Sequence, residues 1–234
     1  MSVEIRLNKY LSDAGICSRR QADRFIEEGR VTVDGEIAGV GTKVTEASKV
    51  CLDNKPVKAS HKTVIYAYNK PVGYVCTAKE ADKDSIFNYV EFPYKVNYVG
   101  RLDKNSQGLL LLTNDGELAN AIQKSRNNHE KEYIVRINKP VTEDFINGMS
   151  NGVPILDTVT KKCIVKKVGE RGFKIVLTQG LNRQIRRMCE YFGVRVVHLK
   201  RVRVMNVKLG DLKLGEYREL TPEEESSLRK SCGM

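Results

Sequence analysis

The segment over residues 100–109, Gly-Arg-Leu-Asp-Lys-Asn-Ser-Gln-Gly-Leu, places several polar and charged side chains between two apolar stretches of the chain. An aspartate in a loop most often stabilises a turn, so residue type alone assigns no chemistry to Asp103. Arg101 and Lys104 flank it, and nearby cations keep a carboxylate ionised. An ionised carboxylate can act as a nucleophile or as a base. This segment is therefore the first candidate for a catalytic loop.

A second segment, residues 180–188, is rich in arginine. If it is helical, Arg183, Arg186 and Arg187 lie on one face at spacings of three and four residues. The opposite face is apolar and is expected to pack into the core. An arginine face of this kind is either an ordinary solvated surface or a phosphate-binding surface, and the spacing does not separate the two. The apolar face consists of Ile185, Met188, Cys189 and Phe192.

Positive charge is concentrated in one part of the chain. The 234 residues contain 40 Lys and Arg against 29 Asp and Glu, a net charge of +11. Residues 161–208 contain 14 basic residues and two acidic ones, a balance of +12. Such a cationic surface favours a polyanionic partner, either nucleic acid or an anionic membrane. A membrane-surface role would need a basic helix with free apolar side chains, and the helix around Ile185 is expected to bury its apolar face.

Composition and motifs exclude several classes of protein. An apolar content of 41% with a mean hydropathy of −0.40 is typical of a soluble globular chain. The longest aliphatic run, Leu109–Leu112, is far shorter than the roughly 20 residues of a membrane helix, and charges in residues 1–13 leave no secretory segment. The six cysteines form no Cys-x-x-Cys pair and the three histidines show no ligand spacing, so we expect reduced thiols, a cytoplasmic location and no metal site. No nucleotide-binding glycine motif is complete.

Helix and turn signals divide the chain into a small head and a larger body. Residues 7–14 carry apolar side chains at helical spacing, and Ser18-Arg-Arg-Gln21 is a capping-box pattern that predicts the start of a second helix. Residues 31–35, Val-Thr-Val-Asp-Gly, predict a strand and a hairpin turn. Residues 55–62 are interpreted as a linker. We expect one domain over residues 1–60 and a second over residues 61–234.

The body is expected to mix strands and helices without regular alternation, so the predicted fold class is α+β. Strands are predicted over residues 64–69, 109–113, 133–137, 163–168, 174–178 and 195–207. Helices are predicted after the turn at residues 114–116, over 142–149, over 182–192 with Gly193 following, and over 222–230 with Thr221 as the N-cap.

Several motifs occur in a fixed order along the body. They are Arg101-Leu102-Asp103 with Ser106-Gln107-Gly108, then Lys131-Glu132-Tyr133, then residues 182–188, Asn-Arg-Gln-Ile-Arg-Arg-Met. This order resembles the ribosomal pseudouridine synthases, in the branch of small-subunit synthase A and large-subunit synthases B, E and F, and residues 129–133 and 158–163 are most similar to synthase F. The head is similar to the alpha-L RNA-binding domain first seen in ribosomal protein S four. Together the two resemblances cover nearly the whole chain.

The resemblance implies that the chain isomerises a uridine. The base is detached from C1′ through nitrogen, turned, and rejoined through carbon. Nothing enters or leaves, so the resemblance implies no metal and no cofactor. It implies a structured RNA substrate, most directly a stem-loop of large-subunit rRNA. We expect a monomer, although the sequence itself does not give the oligomeric state. It also implies a mixed, largely antiparallel sheet flanked by helices and loops.

The resemblance also implies roles for individual residues. Asp103 is the catalytic carboxylate, which attacks the uracil ring or the ribose; proton removal at C2′ is equally consistent, and the sequence does not choose. Tyr133 matches the tyrosine that stacks on the target base, and Arg186 matches the arginine that pairs with the catalytic aspartate. Ile185 matches the aliphatic residue of the pocket, and Arg101 the residue that inserts where the uridine leaves its stack.

Further residues are expected to contact RNA. In the head, three arginines lie near the predicted start of the second helix, where the helix N-terminus also attracts phosphate. The expected contacts are Arg183, Arg187 and Lys131 in the body and Arg19, Arg20 and Arg24 in the head.

Two other functions stay open at this point. A synthase of this branch can act on a transfer-RNA anticodon stem-loop instead of ribosomal RNA. A non-catalytic ribosome- or RNA-binding protein can keep the same fold, but Asp103, Tyr133 and Arg186 are all present, which argues against that alternative.

Overall fold

The computed structural model describes residues 4–57, 62–77, 82–124 and 128–234. The chain divides into two compact units, Met1–Val64 and Ile65–Met234. The interpretation of residues 55–62 as a linker is wrong at its start, because Lys55 and Pro56 form a strand and Val57 is buried in the head. Residues 58–61 of that linker lie outside the described residues.

Within its described residues, 4–57 and 62–64, the head unit contains two helices and six short strands. Ser18 and Gln21 form the predicted capping box, in which each side chain binds the backbone N–H of the other residue. Asp34 and Gly35 both have positive φ angles, as the predicted hairpin turn requires. The elements are β1 (Ile5–Arg6), α1 (Leu7–Asp13), α2 (Arg19–Glu27), β2 (Val31–Val33), β3 (Glu36–Ile37), β4 (Lys43–Val44), β5 (Val50–Leu52) and β6 (Lys55–Pro56).

The body unit is built on one large sheet. Its strands are β7 (Ile65–Lys70), β8 (Asn97–Val99), β9 (Gln107–Thr113), β10 (Lys131–Ile137), β11 (Pro154–Ile155), β12 (Thr158–Val159), β13 (Ile164–Lys167), β14 (Gly172–Leu177), β15 (Val196–Val204), β16 (Val207–Lys208) and β17 (Tyr217–Glu219). Its helices are α3 (Ile86–Tyr89), α4 (Gly116–Gln123), α5 (Glu143–Ser150), α6 (Gln184–Tyr191) and α7 (Pro222–Ser231).

The nine-stranded sheet has the order β13-β14-β10-β15-β9-β7-β17, with β16 beside β15 and β8 beside β9. The pairing between β9 and β15 is parallel, and every other described pairing in this sheet is antiparallel. Helices α5 and α6 bury one core against β10, β13 and β14, and α4 and α7 bury a second core against β7 and β9. The predicted α+β class, with a mixed and largely antiparallel sheet, is confirmed.

Two predicted elements of the body differ from the structure. The predicted strand over residues 195–207 is a hairpin, because Met205 adopts a left-handed conformation and turns the chain from β15 into β16. The predicted helix over residues 182–192 begins only at Gln184, because Arg183 is also left-handed and occupies the N-cap position.

Strands β9 and β15 are in close backbone contact at Gly108. Gly108 and Arg201 are register partners, and the φ angle of Gly108 is +108°. A Cβ atom at this position would overlap the carbonyl oxygen of Arg201 and lie 2.7 Å from its backbone nitrogen. Backbone atoms of a central strand cannot move aside as a flexible side chain would. Only glycine therefore permits this parallel contact.

We predict that Gly108→Ala lowers the free energy of unfolding by about 3 kcal/mol or more, because it adds a backbone clash to a strained φ angle. Gly169→Ala is the control, since Gly169 has a φ of +80° but no atom within 4 Å of the added Cβ. The control isolates the cost of the φ angle, about 1 kcal/mol. Urea denaturation of the two variants measures both values. Equal losses would show that the strand contact does not depend on glycine.

Candidate active site

The loop that carries Asp103 connects β8 to β9. Its centre is a turn in which the backbone N–H of Ser106 donates to the carbonyl of Asp103 at 3.0 Å. Outside this turn, the N–H of Gly73 donates to the carbonyl of Lys104 at 2.8 Å. Asp103 is half-buried and Ser106 is fully buried. The loop is thus fixed by its own backbone and by the segment that follows β7.

The ammonium group of Lys70 supports this loop from within the protein. Lys70 is completely buried, and its Nζ donates to the carbonyl oxygens of Pro71, Asp103 and Ser106 at 2.9, 3.3 and 3.0 Å. Burial lowers the pKa of Lys70 to about 8, with a further small decrease from the Arg201 cation. Three carbonyl acceptors match the three donors of an ammonium group, so the protonated form holds both ends of the turn.

The guanidinium of Arg186, on α6, contacts the same loop from the other side. Its Nη2 donates to the carbonyl of Asn105 at 2.7 Å and to Oγ of Ser106 at 3.3 Å. The expected pairing with the Asp103 carboxylate is therefore replaced by bonds to the loop that carries it. The Nε of Arg186 is buried and has no hydrogen-bond partner among the described residues. Burial lowers the pKa of Arg186, and the Asp103 carboxylate opposes that decrease.

A cleft of about 290 Å³ opens beside this loop. Its volume is at the lower end of the roughly 300–1,000 Å³ of small-molecule sites, so it suits one base better than a longer ligand. Seven of the eight body residues expected at the site line it together. They are Arg101, Asp103, Lys131, Tyr133, Arg183, Ile185 and Arg186.

The charge in the cleft is strongly unbalanced. Asp103 is the single acidic side chain among the described residues that line it. Five cationic side chains line the same cleft, a balance that favours an anionic ligand. Lys131 also lies in this cationic environment. Burial lowers its pKa, and the Arg201 cation lowers it further. The five cations are Arg101, Lys131, Arg183, Arg186 and Arg201.

The three arginines around α6 do not form the single helical face expected from their spacing. Arg183 precedes the helix in a left-handed conformation, with φ 51° and ψ 33°, yet it still lines the cleft. Arg187 turns back instead, and its guanidinium donates to the backbone carbonyl and the side-chain oxygen of Asn182 at 3.1 and 3.4 Å. Arg187 does not line the cleft. Its hydrogen bonds stabilise the chain that leads into α6.

Lys70 and Arg201 were not among the expected site residues. Lys70 directly follows the predicted strand 64–69, and nothing in its residue type or spacing indicates a buried cation. Arg201 occupies a strand position whose neighbour two residues earlier, Leu199, is buried in the core. A charged residue at a core-facing position is an available sequence signal for a buried functional cation.

The three arginines of the head lie on α2. Arg19 and Arg20 are its first two residues, Arg24 is one turn further on, and all three are exposed. Ser18 satisfies the N–H of Gln21, and no acidic residue occupies the first turn. The beginning of α2 therefore presents positive charge to solvent.

Within the described parts of the chain, no group of three or more His, Cys, Asp and Glu side chains could hold a metal ion. The six cysteines are free thiols, and burial raises the pKa of Cys76, Cys163 and Cys189. Across those same described residues, the helices are all too short or too polar to cross a bilayer.

Two family models match the chain. The model of the RNA pseudouridylate synthase family matches residues 64–191, and the model of the S4 domain matches residues 5–48. The first match includes the Asp103 loop, β10 and α6. The second lies within the head unit.

Curated relatives and a solved structure agree with these matches. The dual-specificity RNA pseudouridine synthase RluF of Escherichia coli strain K12 is 52% identical over 94% of this chain and 77% of its own length. An uncharacterized RNA pseudouridine synthase of Aquifex aeolicus is 37% identical over 99% of this chain and 96% of its own length. The ribosomal large subunit pseudouridine synthase B of Xylella fastidiosa is 35% identical over 97% of this chain, and the match spans 51% of that protein.

A crystal structure of a pseudouridylate synthase superposes with a TM-score of 0.70 at 28% identity, and the match covers 96% of this chain and 99% of that one. Fold, domain order and site sequence thus point the same way. The chain belongs to the RNA pseudouridylate synthase family and carries an N-terminal S4 domain.

Proposed function

We propose that this enzyme converts a specific uridine of large-subunit ribosomal RNA to pseudouridine, with Asp103 acting at the sugar–base junction of a flipped-out nucleotide. The observation that carries the proposal is the position of Asp103, the single carboxylate among five cations in a cleft sized for one base. Relatives named as large-subunit and dual-specificity synthases support the choice of RNA.

The residues of the cleft divide into those that act on the base and those that hold RNA. Tyr133 stacks on the extruded uracil, and Ile185, which is buried, forms the apolar wall beside it. Arg186 holds the Asp103 loop through Asn105 and Ser106, and its free Nε is available to the carboxylate. Extruding a base costs a few kcal/mol, which contacts elsewhere must offset.

Arg101, Arg183 and Lys131 supply part of that compensation. Arg101 and Arg183 are exposed at the cleft, where Arg101 can fill the space that the uridine leaves and Arg183 can bind a phosphate. Lys131 lies deeper, with its Nζ donating to the carbonyl of His129 at 3.2 Å. Arg187 contributes indirectly, because its hydrogen bond to the carbonyl of Asn182 holds the chain at the start of α6.

The S4 domain selects the RNA rather than performing the chemistry. Residues 1–60 carry 10 basic and 9 acidic residues, so this region acts through the placement of Arg19, Arg20 and Arg24 rather than through bulk charge. We also propose that the enzyme acts as a monomer in the cytoplasm, where its proposed ribosomal RNA substrate is found.

A transfer-RNA anticodon stem-loop is a second candidate substrate. The word dual-specificity in the names of several relatives that are 51% or 52% identical favours a second RNA target. Stem-loops of both RNA classes present single-stranded bases that can be splayed out. Mapping pseudouridines in all cellular RNA, with and without the gene, distinguishes the two and identifies the uridine.

We predict that Asp103→Asn binds the target RNA with nearly unchanged affinity and forms pseudouridine at least about 1,000-fold more slowly, because the amide is neutral and a poor nucleophile or base. Carbodiimide-blocked primer extension detects the product. Asp84→Asn is the matched control, since Asp84 pairs with Lys104 of the same loop but does not line the cleft. Substantial product from Asp103→Asn would rule out the catalytic role.

We predict that the single-turnover rate falls as the pH rises through about 8, the pKa of Lys70. The folded pKa lies below the ordinary value of 10.5, so Lys70 is protonated, and binds all three carbonyls, only on the acidic side of that value. Deprotonation of Lys70 removes one of its three donors, so one of the three carbonyls loses its hydrogen bond and the Asp103 turn is held less firmly. Lys131 also has a lowered pKa, so Lys131→Met must keep the alkaline decrease. If the alkaline decrease in rate disappears in Lys131→Met, the decrease arises from Lys131 and not from Lys70.

We predict that replacing Arg19, Arg20 and Arg24 together by Gln weakens RNA binding and reduces the slope of log affinity against log salt by about one for each lost phosphate contact. Product formation at saturating RNA should change little. The charge-conserving Arg→Lys triple variant is the control and should retain most of the affinity. Filter binding over a range of salt concentrations measures both. An unchanged slope in the Gln variant would show that α2 does not contact phosphate.

A further inference from the structure

Arg201 is an unusual cation in the centre of the sheet. Only 2% of its surface is exposed, and with Lys70 it is one of two fully buried Lys or Arg side chains in the described parts of the chain. A buried cation is costly unless hydrogen bonds and opposite charge compensate it. The contacts of Arg201 therefore indicate what compensates it in the working enzyme.

The hydrogen bonds of Arg201 are incomplete. Its Nε donates to the carbonyl oxygen of Leu109 at 2.7 Å, which anchors the side chain to β9. Its Nη2 is buried and has no hydrogen-bond partner among the described residues. Lys70, which is equally buried, donates to three carbonyl oxygens. Among the cations that line the cleft, Nη2 of Arg201 and Nε of Arg186 are the buried donors without a hydrogen-bond partner among the described residues, and Arg186 already binds the Asp103 loop through its Nη2.

Arg201 lies in the reaction cleft, next to the residue proposed to stack on the base. It lines the same cleft as Asp103, and its register partner across β10 is Tyr133. Arg101 and Arg183, at the surface of the cleft, can reach phosphates in solvent, but a residue that is 2% exposed cannot. A partner for Arg201 must enter the cleft. By the proposed function, the group that enters is a uracil ring.

The uracil ring becomes electron-rich during the reaction. Whichever route Asp103 takes, the C1′–N1 bond breaks and leaves its electron pair on the ring. The ring then forms the C1′–C5 bond, C5 loses its proton, and N1 gains one, so no atom is added overall. While the ring is detached, its negative charge is shared with the oxygens O2 and O4. A fixed donor aimed at such an oxygen stabilises the transition state.

We propose that Arg201 is a further catalytic residue, whose Nη2–H donates to a carbonyl oxygen of the uracil and stabilises the negative charge on the detached ring. The proposal rests on the proposed function. Under this proposal, Arg186 binds the loop that carries the carboxylate, and Arg201 binds the base. Anchoring by the Leu109 carbonyl gives Arg201 the fixed orientation that such stabilisation requires.

The first test measures single-turnover rates on the wild-type target RNA for Arg201→Lys and Arg201→Met. Arg201→Lys keeps the charge and one donor for Leu109, but it loses the guanidinium fork. We expect both variants to slow pseudouridine formation about 100-fold, the usual effect of removing one such donor, with RNA affinity changed less than about threefold. Lys200→Met is the charge-matched control, because adjacent strand residues point to opposite faces and Lys200 does not line the cleft.

The second test separates contact with the base from a structural role. The target uridine is replaced in a synthetic hairpin by 2-thiouridine or by 4-thiouridine, because sulfur is a weaker hydrogen-bond acceptor than oxygen. We expect one of the two replacements to slow the wild-type enzyme about tenfold, the equivalent of about 1.4 kcal/mol, and to have no further effect on Arg201→Met. This coupling identifies the oxygen that Arg201 binds.

Other outcomes would overturn the proposal. Thio effects of equal size in the wild type and in Arg201→Met would show that the residue does not contact the base. A rate loss in Lys200→Met as large as in Arg201→Met would show an effect of total charge. If the wild-type enzyme forms no pseudouridine in any mapped RNA, the proposed function itself fails. If Arg201→Met forms pseudouridine at the wild-type rate, only this inference is overturned.

Discussion

The body of the enzyme depends on one backbone contact, the parallel approach of β9 to β15 at Gly108 and Arg201. Parallel pairing brings the beginning of β9, and with it the Asp103 loop, beside the middle of β15. Antiparallel pairing of β15 with β10 then places Tyr133 opposite Arg201. Three elements far apart in the sequence thus share one cleft because a single residue lacks a side chain. A larger residue at position 108 would separate the loop from the strand that completes the site.

The cost of this arrangement is electrostatic. Lys70 and Arg201 are buried, and Arg186 is partly buried, while Asp103 is the one acidic side chain among the described lining of the cleft. Burial is the main reason that the pKa values of Lys70, Lys131 and Arg186 are lowered, and a neighbouring cation adds to the decrease in each case. An RNA substrate supplies the missing negative charge. The site is therefore organised for its ligand at the expense of the free protein, as is common where function and stability conflict.

Local signals in the sequence predicted the elements that depend on local chemistry. The capping boxes at Ser18 and Thr221, the Asp34-Gly35 turn and six of the nine strands of the large sheet were predicted, because side chains within a few residues determine them. The left-handed conformations of Arg183 and Met205 were not predicted, because neither residue type favours a positive φ. Tertiary contacts impose both, and they shorten α6 and divide the last long strand into a hairpin.

The same reasoning explains what was predicted of the site. The Asp103 loop and the arginines before and within α6 carry recognisable motifs. The charged residue at core-facing position 201 is a local signal for a buried cation, whereas the contacts of Lys70 follow from strand pairing that no local pattern specifies. The exposed and the buried cations of the cleft differ in how they can interact with RNA. Exposed Arg101 and Arg183 can exchange water and counterions for phosphates, so their contribution to binding depends on salt. The buried pair is shielded from salt and cannot contribute in that way. Lys70 binds the turn that carries the carboxylate, and Arg201, which lines the cleft, keeps one buried donor without a hydrogen-bond partner among the described residues. Affinity for the RNA backbone and stabilisation of the reacting base are thus assigned to different arginines, and their burial alone distinguishes them.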